Sequence, residues 1–530
     1  MMASSGRRPR RIATPAFALA GVGAAAAFLA LVLPLLPRLD HDYDEGVYWL
    51  SLESMARGHR LFTEVFSSQP PFFLESMAPL YHLFGGGYQG GRLATLALAA
   101  VGIGAAFDAG RSLGGRWIGL FAAAALALDP LYLKSAVVLQ ADGPSVVWEI
   151  VAVALALRGV RAASRRQLWL LAAGAMVGVG VMTKLFAVAA IVPVGLLPLL
   201  VAGPGGVAAV AGGAGGDVPV PAGAWWRERL GLAAAGIAGL MLALAAILLP
   251  NLLQGAGQAM IDQVVGFHLA AESATTGSFR DHVDLIAGTY AGGPLALLAL
   301  TSLLALRGRR RGEALGLLAW LAASVYLLMR QKPLWDHHVV LLVPPVALLA
   351  ALGAAEIGGA LRAMSGSGHA TDATSGAPPA AYPGGPPSAS TPLGAGAWPS
   401  ILCAAAATLV LAVTVGIDAH RPPPGGDGAS SAAIADSLKS GLAGGSLVVG
   451  DEPFAIGLAG DIAPPDLVDT SHVRINGGAL TTARAEAAAA GADAVLEATG
   501  RLSSLPGFDS WLARRFHRVP APAGARLWLR

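Results

Sequence analysis

Long apolar blocks, each close to the length needed to cross a bilayer, recur along this chain and are separated by short stretches rich in arginine. Few folds accept that layout, because in hydrocarbon each backbone polar group of a spanning helix must be bonded within that helix. The composition agrees: 55% of the 530 residues are hydrophobic and 13% charged, with a mean hydropathy of +0.60, too apolar for an ordinary soluble enzyme. A net charge of +3 and a pI near 9.1 would suit a nucleic-acid partner. The arginines cluster at the ends of apolar runs instead, so they read as topology signals and no nucleic-acid partner is expected. The single cysteine, Cys403, lies inside an apolar run and can form no intrachain disulfide. Scarce lysine beside plentiful arginine, glycine and alanine suggests a GC-rich bacterial genome.

Eleven spans are expected, near 12–37, 90–110, 117–133, 143–158, 168–183, 185–203, 230–250, 284–306, 313–329, 338–358 and 398–417. Arg7, Arg8, Arg10 and Arg11 precede the first, which exceeds the roughly 7–15 apolar residues of a signal peptide and reads as an uncleaved anchor. Alternate threading places Arg111, Arg116, Arg158, Arg161, Arg165, Arg166, Arg227, Arg229, Arg307, Arg309, Arg310 and Arg311 on the same side as the N-terminus. The positive-inside rule makes that side the cytoplasm of a multi-pass protein of the bacterial plasma membrane. Lys184 divides the 168–203 stretch, which is either a hairpin or one long tilted helix.

Residues 1–361 form the expected transmembrane module, with 38–89 an external loop carrying interfacial helices. Residues 362–397, rich in Gly, Ser and Pro, read as a disordered cytoplasmic linker before the last span, 398–417. Residues 418–530 read as a small extracytoplasmic α/β domain. Its expected strands are 446–449, 493–496 and 526–529, and its expected helices 432–442 and 481–490. The segment 449–453 lacks the glycines of a nucleotide-binding turn, so a lid or acceptor-binding role suits this domain better than a second active site.

The first external loop opens with Asp40-His-Asp-Tyr-Asp-Glu45, four carboxylates in six residues directly after a span. One acid would serve as a helix cap; four at headgroup depth exceed that need and suggest function. The following residues have helical periodicity, with Tyr48, Leu52, Met55 and His59 on one face and Glu45, Glu53, Arg57 and Arg60 on the other, which predicts an amphipathic helix on the outer membrane surface. Pro70-Pro71 then opens a second apolar helix of about ten residues, too short to span.

In this order relative to the spans, the motifs resemble the GT-C membrane glycosyltransferases. The likeness is greatest to the family 39 type, the bacterial relatives of protein O-mannosyltransferases and aminoarabinose transferases. The matching residues are Asp44-Glu45 with Tyr48, Pro70-Pro71, Gly91-Arg92-Leu93, Asp142, Thr183-Lys184 and Trp335-Asp-His-His338, over roughly residues 12–360. Ser68-Gln69 stand where many relatives carry Lys or His before the proline pair.

The resemblance implies an all-α GT-C-like membrane enzyme that transfers a sugar, with inversion, from a polyprenyl-phosphate donor to an extracytoplasmic protein, glycan or lipid acceptor. Asp44 is then the general base, with Glu45 orienting it or the acceptor. The leaving phosphate needs no general acid, only positive charge and hydrogen-bond donors. Candidates are Arg92, Lys184, Arg330, Lys332, His337 and His338, with Asp42, Tyr48 and Asp142 as further substrate contacts. Arg92 also reads as a snorkelling or ion-paired arginine, and Asp142, just before Pro144, as a helix cap. His337-His338 beside Asp336 suggest a metal, but adjacent histidines on a helix point about 100° apart, so hydrogen bonds are favoured and no metal is required. A flippase for lipid-linked sugars would share the layout without covalent chemistry, though it would want polar groups nearer the midplane. A non-catalytic scaffold presenting the C-terminal domain is a third reading.

Overall fold

The computed structural model describes residues 16–37, 42–201, 222–275, 277–290, 293–366 and 427–530. Apolar length and few charges make six of its helices able to cross a membrane: Gly87–Gly114, Asp142–Arg161, Arg166–Thr183, Trp225–Leu253, Arg311–Arg330 and Asp336–Arg362. Two further runs are bent pairs, Arg116–Ala127 with Pro130–Val137 at 66° and Phe279–Tyr290 with Leu295–Arg307 at 104°. The first bend has a local cause. Pro130 cannot continue the preceding hydrogen-bond ladder, and Asp129 caps the new helix by accepting from the N–H groups of Leu131 (2.9 Å) and Tyr132 (3.2 Å).

Against the eleven expected spans, the described residues thus give six, or eight with each bent pair taken as one span. The runs at 12–37 and 185–203 contain only the shorter apolar helices Leu19–Leu35 and Leu185–Leu200. The span at 398–417 and most of the linker, from residue 367 on, lie outside the described residues, and the last long helix continues to Gly366.

Lys184 proves to be the tip of a hairpin. Arg166, at the start of one arm, pairs with Glu228, while Arg229 donates to the carbonyl of Leu199 near the end of the other. Both arms therefore finish at one end of the bundle. That end also holds the pairs Arg161–Glu313 (2.5 Å), Arg310–Glu356 (2.9 Å) and Asp108 with Arg111 and Arg158 (2.7 Å each).

The C-terminal domain has a four-stranded sheet, β1 (Val448–Gly450), β2 (Ala494–Glu497), β3 (His517–Pro520) and β4 (Arg526–Leu529), in the order β1-β2-β4-β3. β1 and β2 are parallel, with Val449 opposite Val495; β4 is antiparallel to both β2 and β3. β3 is a mostly exposed edge strand ending in proline, so it carries no alternating apolar signal.

The structure overturns the expectation of an amphipathic surface helix in the first external loop. The helix Tyr43–Ala56 is buried on nearly every side, with Tyr48, Trp49, Leu50 and Leu52 all in the core, and it stops before His59. The cause is the C-terminal domain, whose helix Pro453–Ala459 covers the side expected to meet water. Two glycines permit the approach: a Cβ on Gly46 would lie 2.4 Å from the Phe454 nitrogen, and one on Gly457 2.6 Å from the Trp49 ring. Trp49, Tyr88 and Phe454 complete the contact with ring centroids 5.5–5.6 Å apart. The second short helix runs Pro71–Leu83.

Candidate active site

A cavity of about 360 Å³ lies between the helix ends opposite the arginine-rich end and the C-terminal domain. Its acidic wall is the first turn of the helix Tyr43–Ala56. Asp42 is the cap, its side chain accepting from the Asp44 N–H at 3.2 Å. One acid thus meets the structural need, and Asp44 is left over: among the described residues its carboxylate has no hydrogen-bond partner, and it lines the cavity. Burial, then the charge of Asp42 and that of Asp469, push its pKa up to about 7, against the opposing pull of His337 and Lys184. Asp42 goes the other way. Burial raises it, but the hydrogen bond and charge of His337, whose Nδ1 lies 3.2 Å away, outweigh that and hold it low.

Facing these acids are nitrogen groups from separate elements. Lys184 sits at the hairpin tip in extended backbone, its Nζ 2.7 Å from Asp142 Oδ2. His337 and His338 stand in the turn Asp336–Leu342 that leads into the longest buried helix. The His338 Nδ1 accepts from the Trp335 N–H at 3.3 Å, so in the neutral ring its Nε2 carries the proton. His268 shows the opposite tautomer, its Nδ1 donating to the Val264 carbonyl at 2.6 Å and leaving Nε2 as an acceptor. Lys332 completes this wall.

The C-terminal domain supplies Asp469, Ser471, His472 and Arg501. Arg501 is delivered by an ordered loop: the Asp451 carboxylate accepts from the N–H groups of Ala498 (2.6 Å), Thr499 (3.1 Å), Arg501 (2.9 Å) and Leu502 (3.2 Å). Its guanidinium lies 3.8 Å from the Tyr43 ring centroid.

Of the residues expected at a site, Asp42, Asp44, Lys184, Lys332, His337 and His338 line the cavity. Asp142 lies one layer behind, tied to Lys184. Glu45, Tyr48 and Arg92 do not line it. Arg92, expected near the donor phosphate, donates from Nε and Nη2 to the two carboxylate oxygens of Glu45, both at 2.6 Å, and from Nη1 to the Leu36 carbonyl at 2.7 Å. Glu45 also accepts from the Leu139 N–H at 3.2 Å, and the pair is 0% and 1% exposed. Its position is a junction of the first apolar helix, the helix Tyr43–Ala56 and the loop before Asp142, and both charges are spent there. Tyr48 packs edge-on against Phe73 at 4.9 Å. Asp40 lies outside the described residues.

Sequence reasoning missed His268, Asp469, His472 and Arg501, each isolated from any motif. Two trios could hold a metal ion, Asp142 with His337 and His338, and Asp42 with Asp336 and His337, their ligand atoms within 4.8 Å of one another. A cation is therefore possible there. The alternatives already present, Lys184 on Asp142 and His337 against Asp42, fill the same electrostatic role without one.

A family profile described as "Dolichyl-phosphate-mannose-protein mannosyltransferase" matches residues 68–209. No curated protein matches the chain. Among solved structures, ArnT from Cupriavidus metallidurans bound to undecaprenyl phosphate is similar over 96% of this chain and 98% of its own, with a TM-score of 0.59 and 18% identity. The apo state of the same protein gives 0.59 and 19% over the same shares. The archaeal oligosaccharyltransferase AglB from Archaeoglobus fulgidus, in complex with an inhibitory peptide and a dolichol-phosphate, gives 0.50 and 13% over 97% of this chain and 74% of its own. These likenesses establish a common fold across membrane helices and C-terminal domain alike.

Proposed function

We propose that this protein is an inverting glycosyltransferase of the family 39 type, moving a sugar from a polyprenyl-phosphate donor to an extracytoplasmic acceptor. In this reading about eleven spans carry the chain, the arginine-rich end faces the cytoplasm, and cavity and C-terminal domain lie outside. One observation carries the proposal: Asp44, whose carboxylate has no hydrogen-bond partner among the described residues and whose pKa is pushed up to about 7, faces cations and N–H donors in the cavity. The profile match over 68–209 and the fold shared with a protein bound to undecaprenyl phosphate support the donor class.

The acceptor hydroxyl gives its proton to Asp44 as its oxygen attacks the anomeric carbon from the face opposite the phosphate. The anomeric carbon–phosphate oxygen bond breaks, and the lipid phosphate leaves as an anion. In this reading Lys332, Lys184, Arg501 and the Nε2–H of His338, all from residues that line the cavity, take up the developing charge. Asp142 sets the Lys184 ammonium, and Glu45 acts only through the backbone it holds.

The test is reconstitution of purified protein with a panel of labelled polyprenyl-phosphate sugars, comparing wild type with Asp44→Asn. Donor loss that disappears in the variant supports the proposal. Movement of intact donor across the bilayer without cleavage would favour a flippase, and neither binding nor turnover with any donor would sink both readings.

A further inference from the structure

Tyr43 stands one residue before Asp44, and its side chain belongs to the C-terminal domain. Its hydroxyl receives the Thr470 N–H at 2.9 Å and lies 3.3 Å from Thr470 Oγ1 and 3.5 Å from Asp469 Oδ1. The Thr470 hydroxyl in turn donates to the Gly450 carbonyl of β1 at 3.0 Å. Over the Tyr43 ring lies the Arg501 guanidinium, itself held by the Asp451 carbonyl at 2.9 Å and by the loop that the Asp451 carboxylate organises. Tyr43 is thus gripped from two sides by a domain that begins almost 400 residues later in the chain.

The first turn of an α-helix has no intrahelical partners for its N–H groups and frays unless something holds it. Here Asp42 caps it from within. The grip on Tyr43 is a second, external fixation, applied at the residue whose orientation sets the rotation of Asp44 about the helix axis. We propose that the C-terminal domain is a working part of the catalytic site, with Tyr43 the positioning residue through which Thr470 and β1 hold Asp44 at its angle in the cavity. The role of Asp44 as base rests on the function proposed above; the mechanical coupling does not. Sugar transfer requires the base within hydrogen-bond reach of one hydroxyl, and a misplacement of about 1 Å can cost on the order of 10²-fold in rate. On this view the same domain supplies Arg501 to the cavity and holds the base opposite it, so a chain with the domain undocked would bind donor and turn it over poorly.

Deleting the domain would expose the apolar interface, so the test uses the full chain with two conservative variants. Tyr43→Phe keeps the ring under Arg501 and removes the hydroxyl. Thr470→Val acts from the other side of the interface at a residue that does not line the cavity. Three quantities are read: binding of undecaprenyl phosphate, kcat with the best lipid-linked sugar, and hydrogen exchange of the peptide spanning 42–50.

The expected result for both variants is unchanged binding of undecaprenyl phosphate and kcat lower by about tenfold. Exchange faster by roughly fivefold or more should be confined to the peptide 42–50. The double variant should lose no more than Tyr43→Phe alone, since Thr470→Val keeps the Thr470 N–H bond and removes only the hydroxyl branch of the link that Tyr43→Phe cuts whole. Unchanged exchange at 42–50 in either variant would overturn the coupling, as would faster exchange throughout the chain, which marks general destabilisation. If the wild type turns over no donor, the functional proposal fails and the exchange measurement alone still decides the coupling.

Discussion

Asp44 and Glu45 are consecutive carboxylates at the start of one helix, and the structure gives them opposite circumstances. Glu45 is fully buried and answered by three N–H groups, two from Arg92 and one from Leu139. Among the described residues Asp44 has no hydrogen-bond partner for its carboxylate, and it faces a cavity. Successive helical positions point about 100° apart, so neighbouring acids enter different surroundings as a matter of geometry. The contrast teaches how to read these two charges: a group saturated by a partner and turned away from the cavity is structural, whereas one left open toward the cavity is available to a ligand. Identity and position in the sequence do not separate the two; the partner does.

The largest effect is expected where the open acid is changed. Asp44→Asn should lower kcat by about 10²–10⁴-fold, the range for a positioned general base, with thermal stability and donor binding unchanged. The pH profile sharpens the same point. Asp44 acts as the carboxylate, so with its pKa raised to about 7 the rate should be level above that pH and fall tenfold per unit below it. A limb near pH 4 would mean that Asp44 is as solvated as an ordinary surface acid and would erase the distinction from an open, desolvated site.

Next comes the closed pair. Arg92→Leu should destabilise the protein by about 3–5 kcal/mol, because it leaves Glu45 buried and unpaired. Arg92→Leu with Glu45→Leu should recover much of that loss in thermal melts of the detergent-solubilised protein, since the buried charge itself is then gone. If Arg92→Leu instead melted like wild type and weakened undecaprenyl phosphate binding, Arg92 would be a donor contact and the contrast would collapse.

Much of this architecture was legible from residue types alone, for reasons the elements make plain. Span positions follow from apolar length: among the described residues six expected runs fall on helices long enough to cross, two on bent pairs, and two on shorter apolar helices. Three strands of the C-terminal sheet followed from short apolar β-prone runs, whereas β3, exposed and ending in Pro520, had no such signal. What stayed hidden depends on long-range contact. The partner of Glu45 is 47 positions away and that of Tyr43 is 427 positions away at Thr470, and no periodicity reports such pairings. The helix Tyr43–Ala56 shows the cost. Its pattern was read against a membrane surface because nothing local announced that the C-terminal domain would cover it. Gly46 and Gly457 were the available clue to a close approach, but each is one of 69 glycines in the chain.

A smaller effect tests whether that cover matters to the open acid. Gly46→Ala places a methyl 2.4 Å from the backbone nitrogen of Phe454, which cannot swing aside as a side chain would. About 1–3 kcal/mol of overpacking is expected, along with a fall in kcat as the Asp44 turn shifts. Gly23→Ala, in the first helix with nothing within 4 Å of the new methyl, is the matched control and should change neither quantity. Equal behaviour of the two variants would mean that the domain rests loosely on the helix.

The smallest expected effect is at the cavity's edge, where Lys134 and Asp336 form an ion pair at 3.2 Å with side chains 50% and 58% exposed. Its distance is not far from that of the Glu45–Arg92 pair, and its sequence separation is larger, so neither can explain a difference between them. Solvent can. Water around the exposed pair solvates each charge nearly as well alone as together, and Lys134→Ala should cost about 0–1 kcal/mol and leave kcat within about twofold. Asp336 would then be more open to the cavity and to any cation offered by the solution, so the comparison should be made in chelator as well as in magnesium. Destabilisation on the scale of Arg92→Leu would mean that pairing alone, whatever the burial, decides which charges at this membrane surface are structural. A negligible change in both media would show that burial makes the Glu45–Arg92 pair structural, and that partner and solvent together leave Asp44 free.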